Sequence, residues 1–199
     1  MRERALLPVL VLPLALALGA ALLTGCATTG GKDKPAPTAA STPATPPPSF
    51  FDRTLDAGKV LVGGQPTKAD VEAFEAKGVT DIVNLRTADE MKGIGFDEVA
   101  LVEQLGMGYL GLPVEGSSAY TPELLEAFAQ RVEQAKGKVV LHCTSGARAG
   151  QLYAAYAVKY LGKTPDEAYA ALKPLGGWPL AMERLLGRPL SVQFKDAAK

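Results

Sequence analysis

Lys138-Val139-Val140-Leu141-His142-Cys143-Thr144-Ser145-Gly146-Ala147-Arg148 is the stretch that decides how this 199-residue chain folds. Lys138–His142 reads as a short strand too apolar for a sheet edge, and a long helix is expected from about Ala147 to Leu161. A strand entering a helix through so tight a turn gathers backbone N–H groups and a helix N-terminus around one point. Such a point attracts phosphate, sulfate or another oxyanion. The same field favours a thiolate at Cys143, which makes that residue a nucleophile. Arg148 can return over the turn and take two anion oxygens in its planar fork. Gly146 permits a backbone that a Cβ would obstruct. The bland alternative for Cys143 is a small buried hydrophobe.

Outward from this turn, strands and helices alternate. Lys59–Gly63 is a strand candidate closed by Gly63-Gly64-Gln65-Pro66. Thr67 with Asp70 opens a helix through Lys77, which Gly78 stops. Val79–Leu85 is a second strand, Phe96–Leu105 a second helix and Tyr109–Val114 a third strand. Thr121-Pro122 reads as an N-cap and first-turn proline of a helix ending near Lys136. Thr164-Pro165-Asp166-Glu167 has capping-box spacing, and Pro179–Leu186 suggests a last helix. The helical spacing of Tyr153, Tyr156 and Tyr160 marks packing or surface residues, as does Trp178. The pattern predicts an α/β fold: a central, mostly parallel sheet of about four or five strands flanked by helices. Ligands of such sheets bind at the carboxyl ends of the strands, where Cys143 falls.

Composition narrows the chemistry. The 21 Lys+Arg and 21 Asp+Glu balance, so there is no basic footprint for nucleic acid. One His and two Cys give no disulfide framework, no all-cysteine zinc site and no His-rich metal site, so neither metal nor cofactor is expected. Met1–Arg4 is net basic, residues 5–23 are uncharged, and the run ends in Leu23-Thr24-Gly25-Cys26. That pattern describes a secretory signal, and its end resembles the bacterial lipoprotein cleavage box. The resemblance implies a signal peptide over 1–25 and a diacylglycerol-modified Cys26 anchoring the chain to a membrane. Ala27, rather than Asp, implies by the enterobacterial pattern an outer-membrane lipoprotein facing the periplasm. The alternative is an uncleaved transmembrane helix, against which Pro8 and Pro13 argue. Residues 27–48 contain no Val, Ile, Leu, Phe, Tyr or Trp and read as a Pro/Ala/Thr-rich tether, which leaves 49–199 as the folded domain.

The chain over roughly 55–175 resembles the cysteine-dependent protein tyrosine and dual-specificity phosphatase superfamily. The likeness rests on His142-Cys143…Gly146…Arg148, on Gly63-Gly64-Gln65-Pro66-Thr67 and on Gly78-Val79-Thr80-Asp81-Ile82-Val83-Asn84-Leu85-Arg86. More narrowly it looks like the bacterial phosphatase-like domain attached to beta-lactamase-like hydrolases, whose loop reads Cys-x-Ser-Gly-x-Arg. The resemblance implies that Cys143 attacks phosphorus, that Arg148 binds the phosphoryl oxygens, and that the phosphocysteine is hydrolysed without metal. His142, Thr144, Ser145, Gly146 and Ala147 would frame the oxyanion loop, and His142 would order it.

Two departures stand out. Four residues separate Cys143 from Arg148, one fewer than in the usual phosphatase loop. That is the spacing of many rhodanese-type sulfurtransferases, which carry a persulfide. Ala149 stands where phosphatases commonly place Ser or Thr to help the intermediate break down. Three readings therefore stay open: a phosphatase acting on phosphate monoesters, a sulfurtransferase, and an inactive oxyanion-binding envelope module. Glu115 is the candidate proton donor, lying after the third strand where relatives carry an acid. Arg86 either adds positive field or pairs with Glu90. Cys143 itself is expected to be at least partly exposed.

Overall fold

The carboxyl ends of three parallel strands meet in register, with Gly63 and Asn84 both opposite His142. The computed structural model describes residues 48–175 and 181–190, all within the unit Thr45–Lys199. Cys26, Trp178 and the first residues of the expected Pro179–Leu186 helix lie outside the described residues. Strands β1 (Leu55–Asp56), β2 (Val60–Gly63), β3 (Val79–Asn84), β4 (Gly108–Gly111) and β5 (Lys138–His142) form one sheet, ordered β1-β2-β5-β3-β4. Only the β1–β2 pair is antiparallel. β5 is central, as its apolar sequence requires.

Helices cover both faces. On one lie α1 (Lys68–Ala73) and α3 (Glu98–Gln104), packed through Val71 and Val102 against Leu61, Ile82, Val140 and the Phe50/Phe74 pair. On the other lie α4 (Pro122–Gln134), α5 (Ala147–Tyr160), α6 (Pro165–Leu172) and α7 (Met182–Leu186). Successive strand residues point to opposite faces. Val139, Leu141 and Cys143 accordingly enter the α4/α5 core, and Val140 the α1/α3 core. The tyrosine row does pack on helices: Tyr156 meets the ring of Phe128 edge-on, and Tyr160 stacks on Tyr156.

Several boundaries differ from the sequence expectation, each for a local reason. The helix opened by the Thr67–Asp70 capping box ends at Ala73 and passes into a 3-10 turn, Glu75–Lys77, before Gly78. The second helix begins at Glu98 rather than Phe96, because the Asp97 side chain caps it by accepting from Ala100 N. The third strand ends at Gly111. Its chain still tracks β3, with Leu112 N bonded to Asn84 O at 2.8 Å and Val114 N to Leu85 O at 3.0 Å. Pro113, which has no N–H, breaks the ladder between them. The strand Leu55–Asp56 and the one-turn helix α2 (Ala88–Met91) were not expected. Both are too short to leave a periodic pattern.

Candidate active site

Cys143 is the first residue beyond β5, and the chain turns into α5 at Gly146, whose φ of +98° only glycine adopts without strain. The Gly146 N–H donates to Cys143 Sγ at 3.2 Å, so a helix N-terminus does face the sulfur. The Gly63-Gly64-Gln65 run forms the adjoining wall. Gln65 N donates to Thr144 O at 3.1 Å, and a Cβ on Gly64 would lie 3.0 Å from that same oxygen.

The expected exposure of Cys143 is corrected here: the residue is 1% exposed. Its side chain follows the β5 alternation into the α4/α5 core, where Val114, Tyr120 and Ala149 belong to the same cluster. Tyr120 lies near enough to feel the Arg148 guanidinium, which opposes the effect of burial on its hydroxyl. Burial pushes its hydroxyl up to about 12.

Arg148 does return over the turn, but its fork holds a carboxylate of the chain itself. Nη1 donates to Glu90 Oε2 at 2.9 Å and Nη2 to Glu90 Oε1 at 2.5 Å. Nη1 also reaches Val114 O at 3.0 Å and Leu85 O at 3.4 Å, while Nη2 reaches Thr144 Oγ1 at 3.0 Å. Glu90 further accepts from Thr87 N and from the Thr144 hydroxyl, both at 2.9 Å. The Arg148 fork, opposed by partial burial and helped by Thr87 and Thr144, holds the Glu90 carboxyl well below its usual range. The Arg86–Glu90 pairing is thus secondary, at 4.0 Å. Arg86 instead donates to Glu90 O and to Gln65 Oε1, each at 2.6 Å. Sequence reading missed Glu90 as a site residue. Its one signal, the Thr87-x-x-Glu90 capping box that the structure contains, reads as helix capping alone.

Behind the sheet a second carboxylate is fully enclosed. Glu98 Oε1 accepts from Gln65 Nε2 at 2.7 Å, and Oε2 accepts from Asn84 Nδ2 and Tyr109 OH, both at 3.2 Å. His142 Nε2 lies 3.3 Å from Oε2, and both side chains are 0% exposed. That approach is too bent for an aligned hydrogen bond, since neither His142 nitrogen finds an acceptor in line. Burial pushes the Glu98 carboxyl up, but His142, Gln65 and Tyr109 outweigh it and hold the group below its ordinary range. His142 is therefore placed to fix the end of β5. One polar chain, His142–Glu98–Gln65–Arg86–Glu90–Arg148, joins both ends of the loop.

The other sequence candidates divide. Thr144 and Ser145 are exposed at the rim and Ala147 is half-buried. Ala149 is fully buried, with no hydroxyl to turn toward the sulfur. Glu115 is exposed and follows Val114, whose carbonyl Arg148 holds; no contact ties its carboxylate to Cys143. Among the described residues no cluster of three or more His, Cys, Asp or Glu could hold a metal ion.

Residues 52–174 match the model of the family described as DSP-PTPase phosphatase fused to NAD+ kinase. The chain belongs to this family. The chain is 35% identical over 98 residues to the beta-lactamase hydrolase-like protein of Xylella fastidiosa, strain Temecula1. That match covers 48% of the chain and 22% of the relative, so the chain spans under a quarter of the curated relatives' length. The fold is similar to that of a DUF442 protein from Shewanella putrefaciens CN-32, with TM-score 0.52 and 24% identity over 66% of this chain and 86% of that one. It is also similar to PTPMT1, with TM-score 0.54 and 24% identity over 65% and 88%. The phosphatase-like fold supports a cysteine-dependent phosphatase.

Proposed function

We propose that the chain hydrolyses phosphate monoesters through a phosphocysteine at Cys143, without metal. The observation that carries this reading is the turn from β5 into α5, with Gly146 N–H on the sulfur and the Arg148 guanidinium beside it. The Cys143 thiolate attacks phosphorus, and the bond to the leaving oxygen breaks. Arg148 and the loop N–H groups hold the equatorial oxygens as charge moves. Glu115 is the proposed donor of the proton to the leaving oxygen, within a loop anchored by the Arg148–Val114 contact. Water, giving its proton to the same carboxylate, then displaces the thiolate and releases inorganic phosphate. Buried Ala149 offers that thiolate no hydroxyl, so the second step is the slow one.

The four-residue spacing of the loop favours one competing reading, a sulfurtransferase carrying a persulfide on Cys143. One assay separates them. The full chain, with chelator present, should release the alcohol from an aryl phosphate and form no thiocyanate from thiosulfate and cyanide. Cys143→Ser should abolish the release, and Glu115→Gln should lower kcat by about 10²–10⁴. Thiocyanate formation without phosphate release would replace the phosphatase reading.

In the same proposal this activity sits on a bacterial membrane, a reading that the N-terminal segment supports. Cys26, the first residue after cleavage at Gly25 and the carrier of a thioether-linked diacylglycerol, anchors a chain whose residues 27–48 hold the domain off the bilayer, on the outer membrane facing the periplasm. Several acyl chains give a far firmer anchor than a single one. Metabolic labelling with an alkyne fatty acid should mark the full chain and fail to mark Cys26→Ala.

A further inference from the structure

The chain enters the domain at the same edge of the sheet that carries Cys143. Gly63 ends β2 opposite His142, and its carbonyl accepts from Cys143 N at 3.4 Å. A Cβ on Gly63 would lie 2.9 Å from the ring of Phe50, so the 3-10 turn Phe50–Arg53 is seated one strand away from the nucleophile. It is also clamped there. Phe50 N donates to Asp70 Oδ1 at 2.8 Å, and Arg53 closes on the same carboxylate at 3.5 Å. Asp70 Oδ2 accepts in turn from Thr67 N at 2.8 Å and from Thr67 Oγ1 at 2.7 Å.

Two open grooves run between this entry and the site, and they share Thr67. The first, of about 480 Å³, lies between Gln65–Lys68 and Gly93–Phe96 and takes in Arg86. It starts beside the Cys143 loop, since Gln65 N donates to Thr144 O. Half-buried Ile94 and Phe96 give it apolar surface. Its charged lining among the described residues is Lys68 and Arg86, with no carboxylate, and Arg86 Nε is buried without an acceptor. The second groove, of about 860 Å³, follows Ala73, Ala69 and Phe51 to Pro48. The chemistry proposed for Cys143, Arg148 and Glu115 uses neither groove. Together they make a path from the phosphoryl site to the point where the chain enters the domain.

We propose that the substrate is a phosphate monoester borne by a membrane lipid, with the alcohol part of the lipid lying along the groove between Gln65 and Phe96. The proposal rests on the phosphatase chemistry and the Cys26 anchor proposed above, and names the substrate class that fits both. With Cys26 in the bilayer, residues 27–48 put Pro48 about 25 Å from the membrane as a flexible coil and about 70 Å away as an extended polyproline segment. The site, beside that entry, stays within this range of the same membrane. Tethering raises the effective concentration of a lipid substrate at the site and leaves that of a soluble one unchanged. A groove with both apolar side chains and cations suits an amphiphilic leaving group, and its cations suit an anionic lipid surface. On hydrolysis the P–O bond to the lipid breaks. The lipid alcohol keeps the donated proton and stays in the bilayer, and inorganic phosphate leaves to water.

The test presents the full chain, in mixed micelles of a neutral detergent, with dioleoyl phosphatidic acid, glycerol 3-phosphate, an aryl phosphate and a phosphotyrosyl peptide. Glycerol 3-phosphate has the headgroup of phosphatidic acid without its chains. kcat/KM for phosphatidic acid should exceed that for glycerol 3-phosphate by about tenfold or more, the effect of about two buried methylenes. Ile94→Glu and Ala69→Glu each put a carboxylate into one groove, and each should lower the ratio of lipid to aryl turnover by about three- to tenfold. A ratio taken within one variant is insensitive to partial loss of folded protein. Equal turnover of phosphatidic acid and glycerol 3-phosphate, a ratio unmoved in both variants, or a phosphopeptide preferred to the lipid would overturn the proposal. Micelles offer the lipid to unanchored protein too, so Cys26→Ala should keep the preference and the anchor is scored separately. Aryl turnover without a lipid preference removes this proposal alone; loss of both turnovers removes the phosphatase reading beneath it.

Discussion

Two carboxylates bond to the two ends of the same loop, and their surroundings give them different work. Glu98 faces His142 with both side chains fully buried, and Gln65, Asn84 and Tyr109 donate to its oxygens. Glu90 faces Arg148 at a rim that remains partly wet. The contrast grows from the strand period, which sends His142 and Cys143 to opposite faces. Taking a carboxylate out of water costs several kcal/mol, so a buried one is tolerable only when its oxygens are bonded, as those of Glu98 are by Gln65, Asn84 and Tyr109. A pair that keeps contact with solvent is worth less, on the order of 1 kcal/mol. The Glu98 cluster is a buried fixture; the Glu90–Arg148 pair is a half-buried one at the rim.

Replacing the cation of the rim pair should have the largest effect. Arg148→Lys should lower kcat/KM for an aryl phosphate by about 10²–10³, because an ammonium cannot supply two parallel donors to the phosphoryl oxygens. Urea unfolding of that variant should stay close to wild type, and a large loss of stability would show that the rim pair holds the fold as firmly as the buried cluster.

Removing the charge of each carboxylate sharpens the comparison on stability. Glu98→Gln should cost about 3 kcal/mol in urea unfolding, since three donors and His142 lose their charged acceptor. Glu90→Gln should cost about 1 kcal/mol or less. Equal costs would erase the distinction between the two regions.

Acid should produce a smaller, graded effect with a definite sign. Glu90 and Glu98 are both held below the ordinary carboxyl range. Their stabilisation is therefore complete above the unfolded-state value, about 4.3 for Glu, and is lost as pH falls through the folded values. The urea midpoint should be level from pH 7 to about 5 and decline below about 4. Glu90→Gln should flatten that decline more than Glu98→Gln does, because the Glu90 carboxyl is held further below its ordinary range.

Much of this was legible in the sequence, and what was not has a physical reason. The apolar run Lys138–His142 marked a central strand, and Gly146 and Arg148 marked the turn that faces the sulfur. Thr67, Thr121 and Thr164 announced their helices, and each does cap. The five-strand, mostly parallel sheet follows from the alternation. Burial of Cys143 could not be read, because it depends on a core cluster whose other members, Val114 and Tyr120 among them, are distant in sequence. The Glu90–Arg148 contact spans 58 residues of sequence, and no local pattern encodes a pairing so distant. Glu98 stands in the first turn of a helix, where acidic residues are common. Only the fold shows that Gln65, Asn84 and Tyr109 converge on it.

The central claim is that Cys143, at the turn from β5 into α5, is the nucleophile. Its most direct test is to mix the full chain with an excess of aryl phosphate in the presence of chelator, quench in acid within the first turnovers, and weigh the Cys143 peptide. The account predicts a gain of one phosphoryl group on that peptide, because buried Ala149 leaves hydrolysis of the phosphocysteine slow, and no gain in Cys143→Ser. Aryl alcohol release that continues in Cys143→Ser, with no phosphorylated cysteine peptide in the wild type, would contradict it.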